Sequence, residues 1–148
     1  MSHFAKMSEA ASVALHAALL MAKKPRELHT ARSIAEGLTV SEATLAKVLQ
    51  RLARAGIVDS TRGPKGGFVL AKNPADVTLL SVYEAIEGTL TPTRCLLSRP
   101  VCGGECLLSA LLSDVDVQAR NFLAGKNLAD VAAALPVGGS IEDIEKAG

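Results

Sequence analysis

Apolar residues recur at spacings of three and four along most of the chain, and the breaks between these runs set out the elements. The first run, Ser8 to Lys23, ends at "KKP", where Pro25 disfavours helix at the residue before it. Thr30 can cap a short second helix, "ARSIAEG", which stops at Gly37. In "TVSEATLAKVLQRLARAG", Leu45, Val48, Leu49 and Leu52 fall at i, i+3, i+4 and i+7 and bury one stripe of a third helix. Thr39 and Glu42 have capping-box spacing for that helix, and Ser41 is an alternative cap. Its other face carries Ala43, Thr44, Lys47, Arg51 and Arg54.

Gly56 closes the third helix; "IVDST", "RGPKGG" and "FVLAK" then read as a strand, a glycine-rich tip and a return strand. "NPADVTLLSVYEAIEG" adds a turn and a fourth helix, capped by Thr78 and stopped at Gly88. Farther on, Leu108, Leu111, Leu112, Val115, Ala119, Phe122 and Leu123 keep helical spacing over about eighteen residues, roughly 27 Å. A stripe of that length calls for a partner, and the expected one is the same helix of a second subunit, with packing back on its own domain as the alternative. The end of the chain offers a short helix capped by Asn127 and an acidic tail expected to be mobile. The expected fold is mainly α: a winged helix-turn-helix with a small β-hairpin wing and a long C-terminal dimerisation helix. Its parts are a DNA-binding domain at 1–88, a cysteine loop at 89–106, the dimerisation helix at 107–126, and a short helix with tail at 127–148.

Charge changes this picture from a fold to a function. Residues 1–73 hold eleven Lys or Arg against five Asp or Glu, and residues 74–148 hold five against ten, so the front half is built to meet a polyanion. A helix entering the major groove needs small polar groups near its N-terminus, where bases are read, and cations farther along, where phosphates lie. Ser41, Ala43, Thr44 and Lys47 fit the first role; Arg51 and Arg54 fit the second or support the fold. At the hairpin tip, Gly63, Gly66 and Gly67 let backbone approach the sugar-phosphate edge while Arg62 and Lys65 supply charge. The expected partner is a double-stranded DNA operator. No run of eighteen apolar residues and no cleavable leader is present, so the expected location is cytoplasmic, with no membrane partner.

The chain has three cysteines, Cys95, Cys102 and Cys106, gathered within one twelve-residue segment. An odd count without an export signal argues against a disulfide framework and leaves metal binding, redox chemistry or inert burial. Cys102 and Cys106 have zinc-ligand spacing but lack a second close pair, and the same two could form a redox disulfide. A cysteine enzyme would need a base, for which His16 is the candidate. Neither a phosphate loop nor an acid pair placed for hydrolysis is present, so the chain is read as a regulator and not an enzyme.

The stretch "TARSIAEGLTVSEATLAKVLQRLARAGIVDSTRGPKGGFVLAKNPADVTLLSVYEAIEG" resembles the IscR/NsrR-type family of bacterial winged-helix regulators, with its "RGPxGG[YF]xLA" wing followed by "P..[IV]TL..[IV]..AIEG". The match runs over about residues 7 to 130. It implies a homodimer on a pseudo-palindromic operator, with the contacts falling on Ser41, Ala43, Thr44, Lys47, Arg51, Arg62 and the Gly63 to Gly67 tip. Where the family's iron-sulfur biogenesis regulator has a base-reading glutamate, this chain has Ala46, so that operator does not carry over. The resemblance also implies an iron-sulfur cluster on Cys95, Cys102 and Cys106, with Gly103 and Gly104 giving room beside its sulfurs. The spacing here is C-x6-C-x3-C, where the family is nearer C-x5-C-x5-C, which leaves a two-iron or four-iron cluster undetermined. The family's fourth ligand comes from the partner's first helix. By alignment Ser12 falls on its carboxylate position and His16 on its histidine position, making His16 the leading candidate over Glu9 and Glu105.

Overall fold

Ser8 opens the first helix by accepting the Ala11 N–H on its side chain, and α1 runs Glu9–Lys23 in the computed structural model. The structure describes residues 7–92, 95–97, 99, 101–103 and 106–135; Gly104, Glu105 and the acidic tail from 136 lie outside them. α1 is the central helix, and its composition explains why. Ala11, Ala14, Ala17 and Ala18 are fully buried, and such small side chains let helices approach α1 on several sides.

α2 (Ala31–Leu38) is capped by Thr30 as expected, but it does not stop at Gly37. Leu20 Cδ1 lies 3.3 Å from where a Cβ on Gly37 would sit, so that glycine makes room for α1. The helix ends instead at Thr39, which takes the left-handed conformation at φ 55°. The Val40 N–H then closes on the Ala35 carbonyl at 3.0 Å, as in a Schellman end. With Thr39 used to end α2, Ser41 caps α3 (Glu42–Arg54), whose Leu45, Val48, Leu49 and Leu52 are buried as the spacing predicts.

Strands β1 (Val58–Thr61) and β2 (Gly67–Leu70) form the expected hairpin, paired from Val58 with Leu70 to Thr61 with Gly67. A third segment joins it. His29 and Phe68 exchange backbone hydrogen bonds of 2.8 and 2.6 Å, fastening the wing to the chain just before α2.

A 3-10 turn (Pro74–Asp76) leads to α4 (Leu79–Glu87), capped by Thr78 and ended by Gly88 at φ 80°. α5 (Leu107–Ala124) and α6 (Leu128–Ala134) follow, the latter capped by Asn127. Leu79 donates to the Lys126 carbonyl and Leu128 to the Val77 carbonyl, each at 2.9 Å, which returns the chain to α1. Leu128 is fully buried there, and a single core reaches from Ala11 to Ala132.

Candidate nucleic-acid interface and cysteine segment

The first turn of α3 is held by its own side chains. The Ser41 hydroxyl accepts the Thr44 N–H at 3.1 Å and donates to the Thr44 hydroxyl at 2.7 Å, so the two polar groups form one unit. Ala43, Lys47, Arg51 and Arg54 are exposed, and Thr44, Lys47, Gln50 and the two arginines line a shallow groove of about 480 Å³ with Ala10 of α1. Arg51 also has a role in the fold: its Nη1 donates to the Ile86 carbonyl at 3.2 Å. Among the described residues, no ion pair engages Lys47, Arg54, Arg62 or Lys65.

At the wing tip the Gly66 N–H closes a turn on the Gly63 carbonyl at 2.9 Å, with Pro64 and Lys65 at its corners. Arg62 and Lys65 are exposed. The fold itself requires all three glycines. Gly63 has φ 110°, and a Cβ on Gly66 would lie 2.1 Å from the Thr61 carbonyl oxygen. A Cβ on Gly67 would lie 2.5 Å from that of His29.

In the cysteine segment Cys102 is exposed, and Cys95 and Cys106 are half-buried. Cys106 is the N-cap of α5, its sulfur accepting the Ser109 N–H at 3.4 Å. That N–H holds the Cys106 thiol below its ordinary range against the opposing effect of burial, with the Leu108 N–H and the Cys102 thiol adding to it. Cys102 thus lies near enough to Cys106 to act on its thiol. Among the described residues, no three His, Cys, Asp or Glu side chains converge as a ready metal site, so Cys95 does not join the pair. Gly103 opens onto free space.

His16 is exposed on α1, one turn beyond Ser12 on the same face. Its Nδ1 lies 2.7 Å from the Ser12 carbonyl and donates to it, which leaves Nε2 as the ring nitrogen open to another partner. His16 borders a groove of about 440 Å³ floored by Leu19, Leu20 and Leu38. Glu9 is exposed in the first turn of α1.

The sequence reading missed a polar knot beside this segment. One Glu84 carboxylate oxygen accepts the Leu90 N–H at 2.9 Å and Arg120 Nη1 at 2.8 Å, while the same nitrogen donates to the Leu90 carbonyl at 3.0 Å. Arg120 is the sole cation in α5, the one local sign of this role. The Leu90 N–H is the main cause holding the Glu84 carboxyl below 4.5; partial burial opposes it and Arg120 assists. A lowered folded value stabilises above the ordinary value, and that contribution fades as pH falls through the folded one. Glu84→Gln is therefore expected to cost about 1 kcal/mol near neutral pH, discounted for the exposed arginine, and almost nothing at an acid pH below the folded value. Urea unfolding of both chains at the two pH values checks this, and an equal difference at both would remove the charge as its cause.

α5 turns most of its apolar side chains outward. Leu123 is buried, whereas Leu107 is 86% and Phe122 63% exposed, with Leu108 and Leu111 on the same open side. Among the described residues, no helix is long and apolar enough to cross a membrane.

A family model described as "Rrf2: Iron-dependent Transcriptional regulator" matches residues 7–134. YwgB of Bacillus subtilis (strain 168), provisionally named an HTH-type transcriptional regulator, is 32% identical over 146 residues, covering 95% of this chain and 91% of that one. The HTH-type transcriptional regulator IscR of Photorhabdus laumondii is 31% identical over 99 residues, covering 66% of this chain and 60% of its own length. Among solved structures, CymR (YrzC), the global cysteine regulator of B. subtilis, aligns with a TM-score of 0.76 and 26% identity. That alignment covers 89% of this chain and 99% of CymR.

Proposed function

The chain belongs to the Rrf2 family of winged-helix transcriptional regulators, which are not enzymes, and from that premise we propose a homodimeric DNA-binding regulator whose cysteine segment holds an iron-sulfur cluster. The observation that carries this reading is the position of Cys106. It is at once a candidate ligand and the cap of α5, the helix with an uncovered apolar face. A change at its sulfur therefore acts on the first turn of the helix that brings two subunits together.

The donor set fits such a group in its chemistry. Soft, anionic sulfur suits iron, and the Cys106 thiol is shifted toward the thiolate by the N–H groups at the start of α5, with Cys102 nearby. Cys95, Cys102 and Cys106 would hold the cluster, and His16 of the second copy, presenting Nε2, would complete the set. When bound, the cluster supplies a centre that responds to oxidation, nitric oxide or iron supply. The chain's own part is to carry that response into helix placement. In each subunit Ser41, Ala43, Thr44 and Lys47 face base edges, Arg51 faces the backbone, and the wing residues Arg62, Gly63, Lys65, Gly66 and Gly67 enter the minor groove. The nearness of Cys102 to Cys106 supports a second reading, in which an oxidant takes two electrons and two protons from the pair to form a disulfide.

Purification without oxygen, followed by visible absorbance and assays of iron and acid-labile sulfide per chain, separates the two. A coloured, iron-containing protein is expected; a colourless one without iron overturns the cluster and favours the thiol pair. DNA binding is tested on a duplex enriched by the protein from a random-sequence pool. Replacing both Arg62 and Lys65 with Ala is expected to flatten the log affinity against log salt slope by about 2. An unchanged slope removes the wing from the interface.

A further inference from the structure

α4 packs on the recognition helix α3 and on α5, and hydrogen bonds near its C-terminus join all three. Ile86 lies in the last turn, where a carbonyl has no partner inside the helix, and Arg51 of α3 fills that place at 3.2 Å. Two residues earlier, Glu84 binds Leu90 and Arg120 through one oxygen, and Arg120 also holds the Leu90 carbonyl. Leu90 precedes Cys95 by five residues. Arg120 stands fourteen residues along α5 from Cys106, about 21 Å of helix. Both routes out of the cysteine segment, back along the chain and forward along α5, therefore meet at Glu84.

We propose that Glu84 and Arg120 are positioning residues that couple the state of the cysteine segment to the recognition helix through the last turn of α4. The inference rests on the regulator reading above. A displacement of α5 at Cys106 carries Arg120 with it, since the helix between them is stiff. Nη1 of the guanidinium holds a carboxylate oxygen and a carbonyl at once, so it drags α4 and the segment at Leu90 together. Ile86 moves with that turn, and Arg51 passes the movement to α3. A lysine at 120 keeps the charge but lacks the rigid, planar NH2 group whose two N–H bonds reach both acceptors from one nitrogen.

The test uses the full chain and the enriched duplex, comparing affinity before and after exposure of the anaerobic protein to oxygen and diamide. The parent chain is expected to change affinity tenfold or more. Arg120→Lys and Glu84→Gln are expected to change it less than threefold, with iron content and thiol titre before exposure equal to the parent's. Variants that keep the parent's ratio overturn the coupling, whatever their stability. A variant weakened equally in both states has a purely structural role, which overturns it too. If the parent itself shows equal affinity in both states, the reading of the cysteine segment as a redox sensor fails and the coupling falls with it.

Discussion

A Cys106→Ser variant is expected to fold at least as stably as the parent chain and to hold less than a tenth of its iron after purification without oxygen. The two effects have opposite signs because Cys106 has two jobs. As the cap of α5 it accepts the Ser109 N–H at 3.4 Å through sulfur, a weak acceptor. Serine is among the preferred N-cap residues, so the helix start gains about 0.5 kcal/mol or more. As a proposed ligand, however, the residue must present a thiolate, and a serine hydroxyl stays protonated. Cys102→Ser is the comparison, since it removes a thiol without improving a cap. Iron and sulfide assays beside thermal unfolding of the three proteins measure both effects. Undiminished iron in the Cys106 variant would strike that residue from the ligand set.

Gly67→Ala should be among the most damaging single-methyl additions in the chain. The added carbon would sit 2.5 Å from the His29 carbonyl oxygen and 3.0 Å from its carbon, and both are backbone atoms with little freedom to yield. Separating the strands breaks the exchanged hydrogen bonds between His29 and Phe68. Lost bonds and strain together come to about 2–4 kcal/mol, and a wing cut loose from the segment before α2 should lower duplex affinity tenfold or more. Gly56→Ala is the control for backbone strain alone. Gly56 has φ 73° with nothing within 4 Å of an added carbon, so it should cost about 1 kcal/mol and leave DNA binding intact. Urea midpoints and duplex titrations of both variants check the contrast; equal losses would mean that the close approach at Gly67 is easily relieved.

Local signals were legible in the sequence, and pairings across the fold were not. Thr30, Thr78 and Asn127 were readable as caps because a cap acts within three residues. The stripe from Leu45 to Leu52 was readable because its period belongs to one helix. Gly37 misled because glycine has two uses. It resembled a helix end, but here it yields space to Leu20, a neighbour seventeen positions away, and Thr39 takes the left-handed turn. The His29 pairing with Phe68 is a single bridge, too short to show the alternation of a strand. Of the candidate site, the cations of α3 and the wing could be read from charge. The fastening of Arg51 to Ile86 could not, since nothing in either residue's local sequence points to the other. The cysteines disclosed their number and place in the chain. That Cys102 lies near Cys106, while Cys95 does not complete a trio with them, depends on the loop's path.

The open apolar side of α5 has a consequence at the scale of the cell. In the proposed dimer, Leu107 and Phe122 are covered only when two chains meet, so the species that fills both halves of an operator forms by mass action. While most chains are single, its amount rises with the square of the copy number. Doubling synthesis would then quadruple the binding species, and operator occupancy would respond to abundance more steeply than for a regulator that works as one chain.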